Sequence, residues 1–320
     1  MPRPKHQLRL IHALPILALI ALTRGTDSQT SVAATQSASP YRVAVDEVIL
    51  TFHASDIHNL PINDLKLEEL TLLDNNKPPH KILAFESLQN HPIRAGILID
   101  TSQSMERHLH NDRAISTQYA QRGLRQQTDQ AFIMDFGYAS KITQPWTSDP
   151  AALTAAIRSV VAGRENPLGG TALFDTIYRA CFYEFGKLDH SASGNFILLF
   201  SDGEDNASHT SLNEVVDICQ HTNTAIYAFR PAPESGYSSG PKTLEDLTSQ
   251  TGGRLFFDDD SEEQIYNNLR TIEADLRNQY RLIYKPAELN HDGSFHRIEL
   301  RTPPRVNSIS IRSGYYGPAH

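Results

Sequence analysis

The chain has 320 residues and a formal net charge of −8 at pH 7, with 39% hydrophobic and 21% charged residues. This length suits one large or two ordinary domains, and the composition is that of a globular protein rather than a collagen or a coiled coil. The acidic balance argues against a nucleic-acid partner, because phosphate backbones are bound by basic surfaces.

The N-terminus has the features of an export signal. Basic side chains precede an apolar segment, residues 10–22, which is short for a membrane span of about 20 residues. Small residues that suit cleavage follow at 32–34. We therefore predict a signal peptide and linker over residues 1–34 and an exported protein that is periplasmic, secreted or on the cell surface. An uncleaved N-terminal anchor is the alternative, and membrane attachment is expected only in that case.

Short extended segments come next. Alternating apolar residues predict strands between residues 41 and 52 and at 69–73 and 81–85, the last two joined by a hairpin turn at Asp74-Asn75-Asn76. Extended segments return at the C-terminal end, where His291-Asp292-Gly293 is expected to form a second hairpin turn. The predicted C-terminal strands are residues 280–284, 295–300 and 308–312.

Between these flanks, strands alternate with helices. The predicted strands are residues 95–99, 130–136, 141–146 (at an edge), 196–200, 225–229 and 254–257, and the predicted helices extend to about 124 and over 150–162, 172–186, 212–221, 243–250 and 261–279. This order predicts a doubly wound, mostly parallel sheet with helices on both faces. Neither flank has enough strands to bury a core alone. We therefore predict that segments 40–92 and 280–318 pair as a small β-sandwich, in which an α/β domain over 93–279 is inserted.

Oxygen-bearing side chains follow the predicted strands of the α/β domain. Asp100 ends the first strand, Ser102 and Ser104 lie in the turn after it, Thr171 opens a helix, and Asp202 follows the strand 196–200. Ligands of such sheets bind at the carboxyl ends of the strands, where these side chains should meet. Carboxylate and hydroxyl oxygens suit Mg²⁺ or Mn²⁺, and Ca²⁺ less well in a six-coordinate site.

The string Asp100-Thr101-Ser102-Gln103-Ser104, with Thr171 and Asp202, resembles the metal-ion-dependent adhesion site of von Willebrand factor type A domains. All five positions of that pattern are filled, and the resemblance covers about residues 93–279. The flanks, including Ser313-Gly314-Tyr315-Tyr316, are similar to the von Willebrand factor A-related proteins common in Acidobacteria.

The resemblance implies a Rossmann-like fold and a metal that the serines and the threonine contact directly. It also implies an open coordination position that accepts an Asp or Glu carboxylate from a partner protein. In related domains the last helix slides when the site is occupied. Because the helix 261–279 leads directly into the C-terminal strands, we hypothesise that metal occupancy shifts it and reorients the two domains.

Three functions are compatible with these residues. The first is a non-enzymatic, exported module for adhesion or protein binding, and the second is an envelope scaffold whose metal only stabilises the fold. The third, a metal-assisted hydrolase, is disfavoured because Ser102 occupies the place of a second carboxylate. We predict no catalytic residue and no cofactor other than the metal.

Other polar residues allow simpler interpretations. Glu204 and Asp205 are expected to be a solvated acidic rim, and His108 and His110, two residues apart on a helix, to be surface residues. Asp258-Asp259-Asp260 is expected to stabilise the start of the last helix through its dipole, with a second metal site as the alternative. Export permits a disulfide between the two cysteines, Cys181 and Cys219, but their helical surroundings favour buried thiols.

Overall fold

The structure, a computed structural model, describes residues 47–163, 169–188, 194–232, 238–289 and 291–318. The predicted signal peptide and linker lie outside these residues and remain predictions. Within the described part of the chain, no helix is long and apolar enough to cross a membrane.

The described residues form three sheets and a set of helices. The strands are β1 (Val48–Ser55), β2 (Thr71–Asp74), β3 (Lys81–Gln89), β4 (Ile93–Asp100), β5 (Gln130–Phe136), β6 (Ser140–Thr147), β7 (Gly194–Phe200), β8 (Thr224–Arg230), β9 (Leu255–Phe257), β10 (Asn278–Lys285), β11 (Phe295–Arg301), β12 (Ser308–Ile311) and β13 (Gly314–Tyr316). The α-helices are α1 (Leu109–Arg122), α2 (Pro150–Ser159), α3 (Leu173–Arg179), α4 (Leu212–His221), α5 (Gly240–Thr251) and α6 (Glu262–Arg277).

The central sheet has the strand order β6-β5-β4-β7-β8-β9. All its pairs are parallel except β5–β6, so the predicted edge strand is confirmed as an antiparallel addition. Side chains of α1, α2 and α6 pack on one face, and those of α3, α4 and α5 pack on the other. Every residue of β7 is buried, as expected for a strand covered on both faces. The doubly wound α/β fold is confirmed.

The two flanks build a sandwich of antiparallel sheets. One sheet has the order β12-β1-β10-β3 and the other β13-β11-β2, and they share a single apolar core that includes Leu50, Leu282 and Ile298. Each sheet thus contains strands from both ends of the described chain. The chain leaves the sandwich after Gln89 and returns at Asn278, which are paired in neighbouring strands. The α/β domain is therefore an insertion in the sandwich, as predicted.

Both predicted hairpins are wrong. β2 and β3, which flank the turn at Asp74, belong to different sheets, and so do β10 and β11. The turn itself forms, with Asn75 and Asn76 at positive φ and two backbone hydrogen bonds between Asp74 and Lys77. The strands after it cross to the other sheet because each sheet needs a second one to cover its apolar face. The residues of the turn do not specify which sheet the next strand joins.

A buried carboxylate joins the two sheets of the sandwich. Asp74 of β2 accepts hydrogen bonds from the hydroxyls of Tyr284 (2.9 Å) and Tyr315 (2.7 Å), and His296 Nδ1 lies 3.0 Å from its other oxygen. Tyr284 is in the opposite sheet. A buried carboxylate with several donors is well satisfied, so this cluster fixes the alignment of the sheets.

Cys181 and Cys219 form a disulfide, and both residues are fully buried. Our preference for two buried thiols is therefore wrong. Cys181 lies in a π-helical turn, Ala180–Glu184, that continues α3, and Cys219 lies in α4. Helical periodicity indicated burial correctly, but it did not show that the two helices lie side by side.

Candidate metal site

Asp100 is the buried acid at the centre of the candidate site. It ends β4 and is fully buried. Its Oδ1 accepts the Ser102 backbone N–H and its Oδ2 accepts the Ser201 hydroxyl, each at 2.8 Å. Burial raises the pKa of Asp100 to about 7, hydrogen bonds from Ser102 and Ser201 oppose the rise, and the charge of Asp202 adds to it. The two carboxylates therefore lie close enough to repel each other.

The turn after β4 presents two hydroxyls side by side. Ser102 Oγ and Ser104 Oγ are 3.2 Å apart, and their side chains are at the surface. Met105, which follows them, is fully buried and donates its backbone N–H to Ser102 O (3.1 Å). A buried side chain and a closed turn thus hold the two serines beside Asp100.

Asp202 lies in a turn after β7 that only glycine permits. Gly203 has a φ of +84°, and a Cβ there would lie 2.3 Å from Gly240 O. Asp202 is half-buried, and its Oδ1 accepts the Glu204 N–H at 3.0 Å. The tight contact with the start of α5 fixes the position of this carboxylate.

Thr171 is buried and bound to the loop that carries Asp202. Its N–H donates to Asn206 Oδ1 (2.8 Å), and its carbonyl accepts the N–H groups of Asn206 and Ala207 (3.1 Å each). Gly169 and Gly170 before it have φ values of +74° and +109°. The structure therefore places Asp100, Ser102 and Ser104 side by side, and it places Asp202 after the neighbouring parallel strand, in a loop that Asn206 binds to Thr171.

This donor set suits a divalent cation. Two carboxylates and hydroxyl oxygens lie at the carboxyl end of a parallel sheet, and within the described part of the chain no basic side chain is hydrogen-bonded to the buried carboxyl of Asp100. Hard oxygen ligands of this kind fit Mg²⁺ or Mn²⁺. The described residues include no group of three or more His, Cys, Asp or Glu side chains that could hold a metal.

Glu204 and Asp205, the expected acidic rim, are partly exposed, but both are also bound to the backbone. Glu204 accepts the Gly240 N–H at 3.0 Å and Asp205 accepts the Leu173 N–H at 3.1 Å, so the two carboxylates cap the starts of α5 and α3. Hydrogen bonds, the largest from Ser238, lower the pKa of Glu204. Both carboxylates bind segments that are distant in the sequence. The spacing of residues therefore did not predict these contacts.

His108 is also less exposed than predicted. Its Nδ1 lies 3.0 Å from Asp258 Oδ2, and Asp258 is buried before the start of α6. Asp112, one turn after His108 in α1, is fully buried, and neither carboxylate oxygen has a hydrogen-bond partner among the described residues. Burial raises the pKa of Asp112, and the charges of Asp258 and Asp100 raise it further. Asp112 thus belongs to the acidic surroundings of the site.

A family model matches most of the α/β domain. The model of the von Willebrand factor type A domain matches residues 96–271, more than half of the 320 residues. The chain belongs to the von Willebrand factor type A family. Domains of this family are often metal-dependent modules of adhesion or protein binding, and they bind the divalent metal at the metal-ion-dependent adhesion site. No curated protein sequence matched the chain.

Solved structures of similar fold come from distant proteins. Proximal thread matrix protein 1 from the mussel byssus, with a zinc-occupied adhesion-site motif, has 12% identity and a TM-score of 0.48, over 64% of this chain and 50% of that one. BatB from Bacteroides thetaiotaomicron has 14% identity and a TM-score of 0.44, over 56% and 97%. A von Willebrand factor type A protein from Catenulispora acidiphila has 13% identity and a TM-score of 0.45, over 80% and 75%. The chain spans about half the length of the mussel protein.

Proposed function

We propose that this chain is an exported, non-enzymatic binding module that holds Mg²⁺ on Asp100, Ser102, Ser104, Thr171 and Asp202. The bound ion would coordinate an Asp or Glu carboxylate of a partner protein. The main support is the pair of serine hydroxyls 3.2 Å apart beside the buried carboxylate of Asp100.

The ligand chemistry explains why the site would bind an acid. A bound divalent cation supplies a centre that attracts carboxylate oxygen strongly when few anionic ligands neutralise it. Most of the proposed ligands here are hydroxyls. Asp100 is held by Ser102 and Ser201, and the serines are held by the turn before Met105. The chain thus provides rigid donors and leaves the exposed side to a partner.

Metal uptake is the first test. Calorimetric titration of the metal-free protein should show Mg²⁺ binding, which the double variant Ser102→Ala/Ser104→Ala should weaken by more than tenfold. Ser249→Ala, an exposed serine on α5, is the matched control and should bind as the wild type does. Absence of Mg²⁺ and Mn²⁺ uptake by the wild type would contradict the proposal.

Carboxylate binding is the second test. A peptide with one Glu in an otherwise uncharged sequence should bind in Mg²⁺ and not in EDTA, and its Gln counterpart should not bind. Mg²⁺ uptake without preference for Glu would instead support the scaffold in which the metal only stabilises the fold. Turnover of phosphate or ester substrates that is lost in Asp100→Ala would support the hydrolase.

A further inference from the structure

An aromatic side chain is exposed next to the candidate metal site. Tyr138 lies in the turn, residues 137–139, that joins β5 to β6, and it is 58% exposed. β5 runs parallel to β4, with Phe136 paired to Asp100. The turn therefore leaves the sheet at the edge where Asp100 lies.

The turn is bound to two of the ligand-bearing segments. Thr101, between Asp100 and Ser102, donates both its N–H (2.6 Å) and its hydroxyl (2.8 Å) to Phe136 O. Ala172, directly after Thr171, donates its N–H to Gly137 O (2.8 Å). Because these bonds start from residues adjacent to the ligands, the backbone at Tyr138 has a fixed position relative to the site.

The Tyr138 ring borders the Thr171 segment. A Cβ added to Gly170 would lie 3.3 Å from Asn206 Oδ1, 3.4 Å from Ala207 Cβ and 3.5 Å from Tyr138 Cδ2. The ring therefore lies against the glycine backbone directly before Thr171. We call the surface of Tyr138 and Gly170 the Tyr138 ledge.

We propose that the Tyr138 ledge selects partners in which an aromatic or large aliphatic residue is the neighbour of the metal-bound acid. The proposal rests on the proposed function. An exposed tyrosine ring gains by covering apolar surface, and tyrosine is frequent among the residues that dominate interfaces. A cationic neighbour would also fit the ring face. It is disfavoured here because the divalent ion beside Thr171 would repel it.

The test compares three end-blocked peptides in which a single Glu is followed by Phe, Gly or Lys and all other residues are uncharged and identical. Fluorescence anisotropy in Mg²⁺ should show the Glu-Phe peptide binding wild-type protein at least fivefold more tightly than the Glu-Gly peptide, with Glu-Lys no tighter than Glu-Gly. In Tyr138→Ala this preference should vanish while the affinity for Glu-Gly stays within twofold. Tyr138→Phe should keep the preference, since the ring and not the hydroxyl makes the contact.

Tyr183→Ala is the matched control, because Tyr183 is similarly exposed (51%) in the helical segment after α3. It should keep the full preference. Mg²⁺-dependent binding of all three peptides with equal affinity would overturn this inference and leave the proposed function intact. If none of the three peptides binds in an Mg²⁺-dependent way, both this inference and the proposed function are overturned.

Discussion

Arg277 at the end of α6 donates a 2.8 Å hydrogen bond from Nη2 to the buried carboxylate of Asp129, in the loop before β5. The same nitrogen donates to Gly123 O at 2.9 Å, which joins α6 to the end of α1. Asp129 also accepts the backbone N–H groups of Ile93 and Arg125. The carboxylate of Asp129 thus links the starts of β4 and β5 to the end of α6, where the chain enters the sandwich.

Removing this carboxylate should destabilise the protein strongly. Asp129→Ala breaks the buried pair with Arg277, which keeps only its half-exposed partner Glu273 among the described acidic residues, and breaking a buried pair typically costs about 3–5 kcal/mol. We expect a loss of that size in the free energy of unfolding, measured with urea. Asp246→Ala, whose carboxylate pairs with Lys242 on the surface of α5, should cost below about 1 kcal/mol. Equal effects of the two substitutions would contradict the role given to Asp129.

The pH dependence of that stability has a defined sign. Burial alone would raise the pKa of Asp129, but hydrogen bonds from Arg277, Ile93 and Arg125 outweigh it and lower the pKa to about 2. The pKa of Asp129 in the folded protein lies below its unfolded value of 3.8. The contribution of Asp129 to the free energy of unfolding is therefore present above pH 4 and is lost as the pH falls towards 2. Asp129→Asn should show a smaller loss of stability between pH 4 and pH 2 than the wild type.

These contacts also bear on the hypothesis that α6 slides when the metal binds. Asp275, near the end of α6, is bound to Arg254 (2.8 Å) and lies 3.6 Å from His53 of β1. A shift of the last turn would break these contacts and the Asp129–Arg277 pair together. The shift of α6 therefore stays a prediction, and a shift confined to its first turns, after the exposed N-cap Ser261, would keep these contacts.

Metal binding should weaken as the pH falls. Burial raises the pKa of Asp100 to about 7, so protons compete with Mg²⁺ for this carboxylate below neutral pH. The apparent Mg²⁺ affinity should be about tenfold lower at pH 6 than at pH 8. In the metal-free protein, the raised pKa means that stability falls as the pH rises from about 4 through 7. Mg²⁺ should therefore stabilise the protein most above pH 7.

Calorimetry at the two pH values measures this dependence. His209→Gln is the control, because it removes an exposed imidazole that pairs with Asp175 and leaves Asp100 unchanged. The variant should keep the tenfold change. An Mg²⁺ affinity that is the same at pH 6 and pH 8 would show that Asp100 is not a ligand or is already ionised at pH 6.

Some strands and helices were predicted from the sequence more accurately than others. The bounds of β5 and α4 were predicted to the residue, because continuous apolar runs and helical periodicity arise from burial by neighbouring layers. The hairpin predictions failed at Asp74 and His291 because strand partners are chosen over long sequence distances. The predicted helix 172–186 is present, but its winding changes to a π-helix at Ala180.

For the site, strand ends were sufficient to place Asp100 and Asp202 near each other. The supporting residues were not found from the sequence. Ser201 donates to Asp100 and Asn206 binds Thr171, but serine and asparagine in a loop have many uses. Asp112 was missed because a charged residue on a helix is usually exposed, whereas here it is fully buried.

Asp112 should be a source of instability. An unpaired buried carboxyl costs free energy in either protonation state, and its pKa is raised by burial and then by Asp258 and Asp100. Asp112→Leu should raise the free energy of unfolding by about 1–2 kcal/mol at pH 8. The raised pKa makes the wild type lose stability as the pH rises above the pKa of Asp112 in the unfolded chain. The stabilisation by Asp112→Leu should therefore be smaller at pH 5 than at pH 8.

Urea unfolding at both pH values checks this expectation. His110→Leu, an exposed position on the same helix, controls for the added leucine. A loss of stability in Asp112→Leu at pH 8 would mean that the carboxylate has a favourable partner, such as a bound cation.

The disulfide should stabilise both the fold and the candidate site. Cys181 and Cys219 are 38 residues apart, and closing a loop of that size in the unfolded chain is worth roughly 3–4 kcal/mol. We expect Cys181→Ala/Cys219→Ala to lower the free energy of unfolding by about that amount. Alanine is the suitable replacement because a serine hydroxyl would be buried without a partner at these sites.

The double variant should also bind Mg²⁺ several-fold more weakly. The disulfide joins the helical segment after Thr171 to α4, which follows the Asp202 loop. Without it, the two segments are held by packing and by hydrogen bonds such as those between Thr171 and Asn206 and between Leu173 and Asp205. Mass spectrometry of the purified protein before and after reduction should show the bond. If reduction changes neither the mass nor the unfolding midpoint, the cysteines are the buried thiols that helical periodicity alone suggested.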